Sequence, residues 1–195
     1  MKEHVVEYFS GEKLSHGYRW NLQDINGGTT GAMADEVDGG YKVSFSTQQY
    51  AWGGLTYDNV RQFDLESLDC IVTVKRTFGS SNGGYWAGVS GVKNTNQNNT
   101  AALGSNTGQE DNFYLFLKGT TTSRTESDVT IDDNWHTGKI ESRASSVKLL
   151  LDGVLKVTVG SGMGDYNVQP SITAIDNSTD SGNSFSIRYF EAYNI

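Results

Sequence analysis

Val147–Val159 reads VKLLLDGVLKVTV, and its centre decides the fold. Asp152-Gly153 separates two apolar runs by just two residues. A two-residue hairpin turn needs positive φ at both central positions, which Asp tolerates and Gly adopts without steric penalty. The stretch is therefore an antiparallel hairpin in which Leu151 faces Val154 and Leu150 faces Leu155. Apolar side chains thus stand on both of its faces. This predicts a hairpin covered on both sides, in the middle of a layered structure rather than at an exposed edge.

Other segments repeat the strand signature. Tyr41, Val43 and Phe45 alternate with Lys42, Ser44 and Ser46. Leu68, Cys70, Val72 and Val74 alternate with Asp69, Thr73 and Lys75, with Ile71 the exception. Phe113, Leu115 and Leu117 alternate with Tyr114, Phe116 and Lys118. Each predicts one face on a core and one face partly open. No segment carries the 3.6-residue apolar stripe of a helix, and Asp64–Leu68 reads as a single turn. Asn26–Gly31, Gly79–Gly84, Lys93–Thr100, Gly119–Ser127 and Asp176–Asn183 are rich in Gly, Asn, Ser and Thr and read as loops. Short strands at this spacing predict an all-β, two-sheet antiparallel sandwich of jelly-roll type, with residues 1–195 forming one domain.

Composition agrees. The 195 residues carry 23 Gly and 1 Pro, which disfavours both a helical chain and a Pro-rich disordered one. The net charge is −8, and no Lys/Arg cluster exists to follow a phosphate backbone, so nucleic acid is not an expected partner. No apolar run approaches the roughly 20 residues of a membrane helix, so membrane insertion is not expected. Met1–Ser10, MKEHVVEYFS, reads as a strand rather than a secretory leader. Cys70 is the single cysteine, so neither an intrachain disulfide nor a Cys-based zinc site can form. Its alternation with Leu68 and Val72 places it in the core as a small hydrophobe.

Ile131–Val159, IDDNWHTGKIESRASSVKLLLDGVLKVTV, resembles the hairpin region of the concanavalin A-like lectin/glucanase superfamily, laminin G-like modules included. Trp135, His136, Lys139, Glu141, Val147, Asp152 and Gly153 fall in step with that pattern. Val5–Gly11 followed by Arg19-Trp20 is similar to the superfamily's opening strand and first loop, and Ser186–Asn194 to its closing strand. The resemblance implies two antiparallel sheets packed face to face, one of them concave, with the first and last strands side by side. The superfamily spans lectins, adhesion modules, glucanases, alginate lyases and modules of virus particles, so the fold alone does not select a function.

The enzymatic branches of that superfamily carry motifs that this sequence does not reproduce in full. Glucanases of this type carry Glu-x-Asp-x-Glu on one strand, so that period two places the carboxylates on one face. None of the nine Glu residues stands in that spacing. The densest acidic cluster, Asp35-Glu36-Val37-Asp38, precedes a Gly-Gly turn and reads as solvated. Arg124-Thr125-Glu126 and Tyr189-Phe190-Glu191-Ala192 match parts of the alginate lyase motifs, but Gln-x-His is missing, and the first reads as a tripeptide in a polar loop. His136 reads as a structural strand residue after a core Trp135. The chain is thus expected not to be an enzyme.

For metals, Asp176 and Asp180 offer loop oxygens of the kind calcium takes, with Asp132-Asp133-Asn134 a second candidate. Sugars bind on flat aromatic faces, with amides and carboxylates reaching the hydroxyls. Tyr50, Trp52, Tyr57, Tyr85, Trp86 and Tyr114 are the candidate ligand-binding rings, joined by Phe116 and rimmed by the amides of Asn94–Asn99 and Asn106. Each ring has a competing place in the sandwich core. The leading expectation is a non-catalytic recognition or adhesion module that binds a glycan or a surface protein, extracellular or on a virion surface. One alternative is a structural virion protein, a capsid decoration or fibre domain that associates with the capsid or as a homo-oligomer. A second alternative is a polysaccharide hydrolase or lyase.

Overall fold

The computed structural model describes residues 4–9, 20–24, 29–33, 40–47, 51–57, 63–78, 82–91, 99–108, 110–119, 122–160, 163, 167–179 and 182–195. Among them lie sixteen strands: β1 His4–Glu7, β2 Trp20–Asp24, β3 Thr29–Met33, β4 Tyr41–Phe45, β5 Ala51–Tyr57, β6 Phe63–Asp64, β7 Ser67–Thr77 and β8 Gly83–Gly91, followed by β9 Thr100–Asn106, β10 Asn112–Lys118, β11 Thr122–Thr130, β12 His136–Arg143, β13 Ser146–Leu151, β14 Val154–Val159, β15 Asn167–Asp176 and β16 Ser184–Asn194. They form two antiparallel sheets. The first runs β14-β13-β12-β7-β16-β4-β3, with β1 paired to β16. The second runs β11-β10-β9-β8-β15-β5-β2, with β6 paired to β15. Among the described residues no helix is long and apolar enough to cross a membrane.

Alternation builds the layer between the sheets. From the first sheet Val43, Phe45, Leu68, Cys70, Val72, Val74, Ile140, Leu149 and Phe190 point inward. From the second come Leu55, Tyr85, Ala87, Leu103, Phe113, Leu115 and Ile172. Ile71, the residue that broke the sequence pattern, stands half-buried on the other side of its strand. β1 lies against β16, His4 opposite Tyr193, so the two ends of the fold are neighbours as expected.

The Asp152-Gly153 turn is present, with φ of 51° and 80°, and pairs Leu151 with Val154 and Leu150 with Leu155. Its position corrects the expectation of cover on both faces. β14 is the edge strand of the first sheet, and Val154 and Leu155 are 55% and 52% exposed. The local pairing follows from turn chemistry, but which strand continues the sheet is a long-range matter that two apolar faces do not determine. The turn gives a direct test. A non-Gly residue in the left-handed region costs about 1–2 kcal/mol. Gly153→Ala should destabilise the domain by about 1 kcal/mol in urea titrations. Gly160→Ala, where an added Cβ likewise meets nothing within 4 Å but φ is not left-handed, should be neutral.

Candidate functional site

The second sheet has a ring-lined outer face because its strands alternate aromatic and apolar residues on both sides. In β10, Phe113, Leu115 and Leu117 enter the inter-sheet core, which turns Tyr114 and Phe116 outward. In β8 the same parity sends Tyr85 and Ala87 inward and Trp86 outward. Strand register then assembles rows. Trp86 pairs with Gly104, Gly104 with Tyr114, and Tyr114 with Glu126. In the next row Gly88 pairs with Ala102, Ala102 with Phe116, and Phe116 with Arg124. Ile175 stands between Gly84 and Trp52.

The rings pack on one another. Trp52 and Trp86 stack with centroids 5.9 Å apart, and Trp86 and Phe116 lie 5.8 Å apart, tilted by 48°. The Arg124 guanidinium sits 5.8 Å above the Phe116 ring. Gly104 makes room for the Tyr114 ring, since a Cβ there would lie 2.1 Å from it. Trp86, Tyr114 and Phe116 are buried, Trp52 is half-buried, and Arg124 and Glu126 are exposed at the edge.

Polar satisfaction sets this face apart. Buried polar atoms are nearly always hydrogen-bonded in folded proteins, and an unmet one costs about 1–3 kcal/mol. Among the described residues seven buried side-chain polar atoms have no partner of acceptable geometry, and four of them, Trp86 Nε1, Asn106 Nδ2, Tyr114 Oη and Gln169 Oε1, belong to this one face. Trp86 and Arg124 stand within reach of the Tyr114 phenol, while Gln169, opposite Ser90, lies farther along the same face. Burial pushes the Tyr114 phenol's pKa up, against the pull of Arg124, so it serves as a neutral hydroxyl.

The candidate rings therefore divide. Trp52, Trp86 and Tyr114 share the outer face with Phe116. Tyr57 and Tyr85 do not: both are buried in the layer between the sheets, because strand parity points them at the core. Tyr50, Asp180 and Asn94–Asn98 lie outside the described residues. Arg124-Thr125-Glu126 is not in a loop as expected but in strand β11, where period two directs Arg124 and Glu126 to the ring-lined face. Polar residues throughout β11 concealed it. Trp135 is not in the core either; it is half-buried with the Arg188 guanidinium 4.6 Å above its ring.

The calcium expectation does not fit Asp176. One of its oxygens accepts from the Ser178 N–H at 2.9 Å and the Ser178 hydroxyl at 2.8 Å, and the other accepts from the Asn183 amide at 2.9 Å. Both oxygens thus tie Asp176 to Ser178 and Asn183. Among the described residues no group of three or more His, Cys, Asp or Glu is placed to hold a metal ion.

Asp132 and Asp152 instead clamp His136. Its Nε2 lies 2.9 Å from an Asp132 oxygen and its Nδ1 2.7 Å from an Asp152 oxygen, while its ring packs 4.6 Å from Phe113. Only the imidazolium donates from both nitrogens. Burial pulls the imidazole's pKa down, but the two carboxylates outweigh it and the net shift is upward. The folded state thus binds the proton more tightly than the unfolded chain. This stability is fully present below the ordinary histidine value and is lost as pH rises through the folded one. Chemical denaturation between about pH 6 and pH 8 should show stability falling with pH, and His136→Asn should flatten that slope.

No protein-family model matches the chain. No curated protein matches it either. Solved structures do. The carbohydrate recognition domain of Emp47p aligns with a TM-score of 0.66 at 12% identity, over 98% of this chain and 94% of that one. Lectin II from Ulex europaeus aligns at 0.65 and 9% identity over 99% of both chains. A GlcNAcα1-4Gal-releasing endo-β-galactosidase from Clostridium perfringens aligns at 0.73 and 11% identity over 98% of this chain and 62% of that one. The fold is that of the concanavalin A-like lectins, a jelly-roll sandwich. Solved structures that share it include lectin domains and a glycosidase.

Proposed function

We propose that the domain is a non-catalytic, lectin-like recognition module that binds a glycan on the outer face of its second sheet. The observation that carries this reading is the cluster of outward rings, Trp52, Trp86, Tyr114 and Phe116, with the half-buried Trp52 stacked on Trp86 and the exposed Arg124 and Glu126 at its edge. The half-buried Trp52 offers a flat apolar face to the C–H surface of a sugar, and the exposed Arg124 and Glu126 at the edge suit its hydroxyls. Such a module works where glycans are displayed, at a cell exterior or on a virion surface.

Two observations weigh against a hydrolase or lyase. The Glu110 and Glu126 carboxyls lie within hydrogen-bonding reach of each other, whereas glycosidases hold their acid pair about 5 Å or more apart around the reacting bond. No imidazole of the described residues stands on this face: His136 and His4 both belong to the first sheet.

Trp52→Ala, at the ring of this face that keeps exposed surface, tests the reading: glycan binding should weaken about tenfold, a loss of about 1.4 kcal/mol. A glycan array followed by calorimetry reads the effect. Absence of binding to any arrayed glycan at millimolar concentration would overturn the proposal, and so would turnover of a polysaccharide abolished by Glu126→Gln.

A further inference from the structure

Residues 131–135 carry the chain from β11 in the second sheet to β12 in the first. His136 opens β12, is buried, and lies opposite Val74 of β7. Its two nitrogens reach two different turns. Nε2 meets Asp132 Oδ1 of this connection at 2.9 Å, and Nδ1 meets Asp152 Oδ2 of the β13–β14 turn at 2.7 Å. The two carboxylates are not equally tied. Asp152 is fixed to the residue after His136 by a reciprocal pair of bonds: the Thr137 N–H donates to its Oδ1 at 2.8 Å, and its own N–H donates to the Thr137 carbonyl at 2.8 Å. Asp132 takes its other hydrogen bonds inside its own turn, where Oδ1 accepts from the Asn134 N–H at 2.8 Å and Oδ2 from the Asn134 side-chain amide at 3.0 Å.

From this asymmetry we infer that His136 is a proton-operated latch between the two turns: protonated, it fastens the 131–135 connection to the hairpin, and on losing its Nε2 proton to water it keeps Asp152 and releases Asp132. A neutral imidazole has one N–H and one lone pair, so it donates to only one of the two carboxylates. The other nitrogen then turns its lone pair on a carboxylate oxygen, and that contact becomes repulsive. Asp152 cannot retreat without breaking its bonds to Thr137, whereas Asp132 swings away together with Asn134. Burial lowers the imidazole's pKa, but the hydrogen bonds to Asp132 and Asp152 outweigh it, so the proton leaves above the ordinary histidine value of about 6.5. Also facing this corner are Asp133, paired with the buried Arg76 at 3.1 Å, and the Tyr85 phenol of β8, which burial keeps neutral. β10 presents the Phe113 ring, 4.6 Å from the imidazole. The connection itself carries Asp133 and Trp135, against which Arg76 and Arg188 rest, and its Ile131 N–H donates to the Asp111 carbonyl at 3.0 Å. Its release therefore loosens the end of β11, the strand that bears Arg124 and Glu126. The latch does not depend on the lectin-like reading.

Nuclear magnetic resonance on the intact chain, from about pH 5.5 to about pH 9, tests it. The ring nitrogen shifts of His136 should show the imidazolium at the acidic end and the Nδ1–H tautomer at the basic end. Over the same range, after correction for the intrinsic effect of pH on exchange, the Ile131 amide should lose about tenfold in protection from hydrogen exchange, while the Thr137 and Asp152 amides change by less than about twofold. Asp132→Asn removes one of the two charges that hold the proton, so it should move the ring's midpoint to lower pH and shrink the Ile131 step. Glu66→Gln alters net charge by the same amount in the turn before β7 and should leave both unchanged, which separates the latch from a general effect of an acidic protein. An Nε2–H tautomer at the basic end would overturn the inference, and so would protection lost at Thr137 or an Ile131 amide indifferent to pH.

Discussion

Asp133→Ala should destabilise the domain by about 3 kcal/mol, although Asp133 is itself largely at the surface. Its importance comes from Arg76. By the alternation of β7, Arg76 follows Val72 and Val74 into the layer between the sheets, where its side chain is 1% exposed. Its Nε donates to Asp133 Oδ1 at 3.1 Å, and its terminal nitrogens reach the Ser105 and Thr107 hydroxyls at 3.5 Å. Its guanidinium lies 5.0 Å from the Phe78 ring centroid. Asp133 is 40% exposed and loses little by returning to water, but Arg76 cannot follow it. Removing the carboxylate therefore leaves a cation in a desolvated layer with long hydroxyl contacts, the Phe78 ring and the more distant Asp132 charge, but no paired carboxylate. Replacing the cation is a different matter, because apolar substitutes of similar volume for buried ions are often neutral. Arg76→Met should thus shift the urea midpoint by the equivalent of no more than about 1 kcal/mol. The double variant should lose less relative to Arg76→Met than Asp133→Ala loses relative to the parent, since the Arg76–Asp133 pair is then already gone. An Asp133→Ala midpoint equal to that of the parent would show that the hydroxyls suffice.

Arg76 also shows where sequence reading stops. A charged residue at the end of an alternating strand reads as solvated, and nothing local reveals that the opposite sheet closes over it. The 147–159 hairpin was legible because both halves of its evidence, turn chemistry and apolar runs, are local. So were β4, β7 and β10, where one face is plainly richer in apolar side chains. The outer rings of the second sheet were only half legible. Alternation separated Phe113 from Tyr114 correctly, but β8 reads GGYWAGVSG and is buried along its whole length, so its sequence offers no contrast to say whether Tyr85 or Trp86 faces the core. Tyr57 was misassigned for a similar reason, since β5 is mostly buried on both of its faces. β11 failed in the opposite direction. As an edge strand with mostly exposed side chains it needs no apolar pattern, and its TSRTESDVT composition imitates a loop. The carboxylates and the guanidinium of the candidate site lie beside or on that strand, which is why the sequence supplied the rings and missed the charges.

Gly104→Ala should damage the fold and the site together. Gly104 sits between Trp86 and Tyr114 in the central row, and the Tyr114 ring lies across it. An added Cβ would meet the ring carbons at 2.1, 2.5 and 2.6 Å, well inside contact distance. A flexible surface side chain would swing aside, but Tyr114 is fully buried, with Trp86 in its own row and Phe116 in the next. The variant should lose about 1–3 kcal/mol, the usual range for overpacking. On the lectin-like reading, displacing the ring also disturbs Trp86 and Phe116 beside it, so glycan affinity should fall about tenfold, beyond any effect of stability on the folded fraction. The double variant Gly104→Ala/Tyr114→Ala distinguishes this account from a general intolerance of the β9 strand. Tyr114→Ala alone leaves a cavity and should cost about 3–5 kcal/mol. With the ring gone the new methyl meets no obstacle and fills part of that space, so the double variant should be more stable than the sum of the two losses by at least about 1 kcal/mol. Strict additivity would mean that the glycine is required by the β8–β9–β10 backbone rather than by the tyrosine.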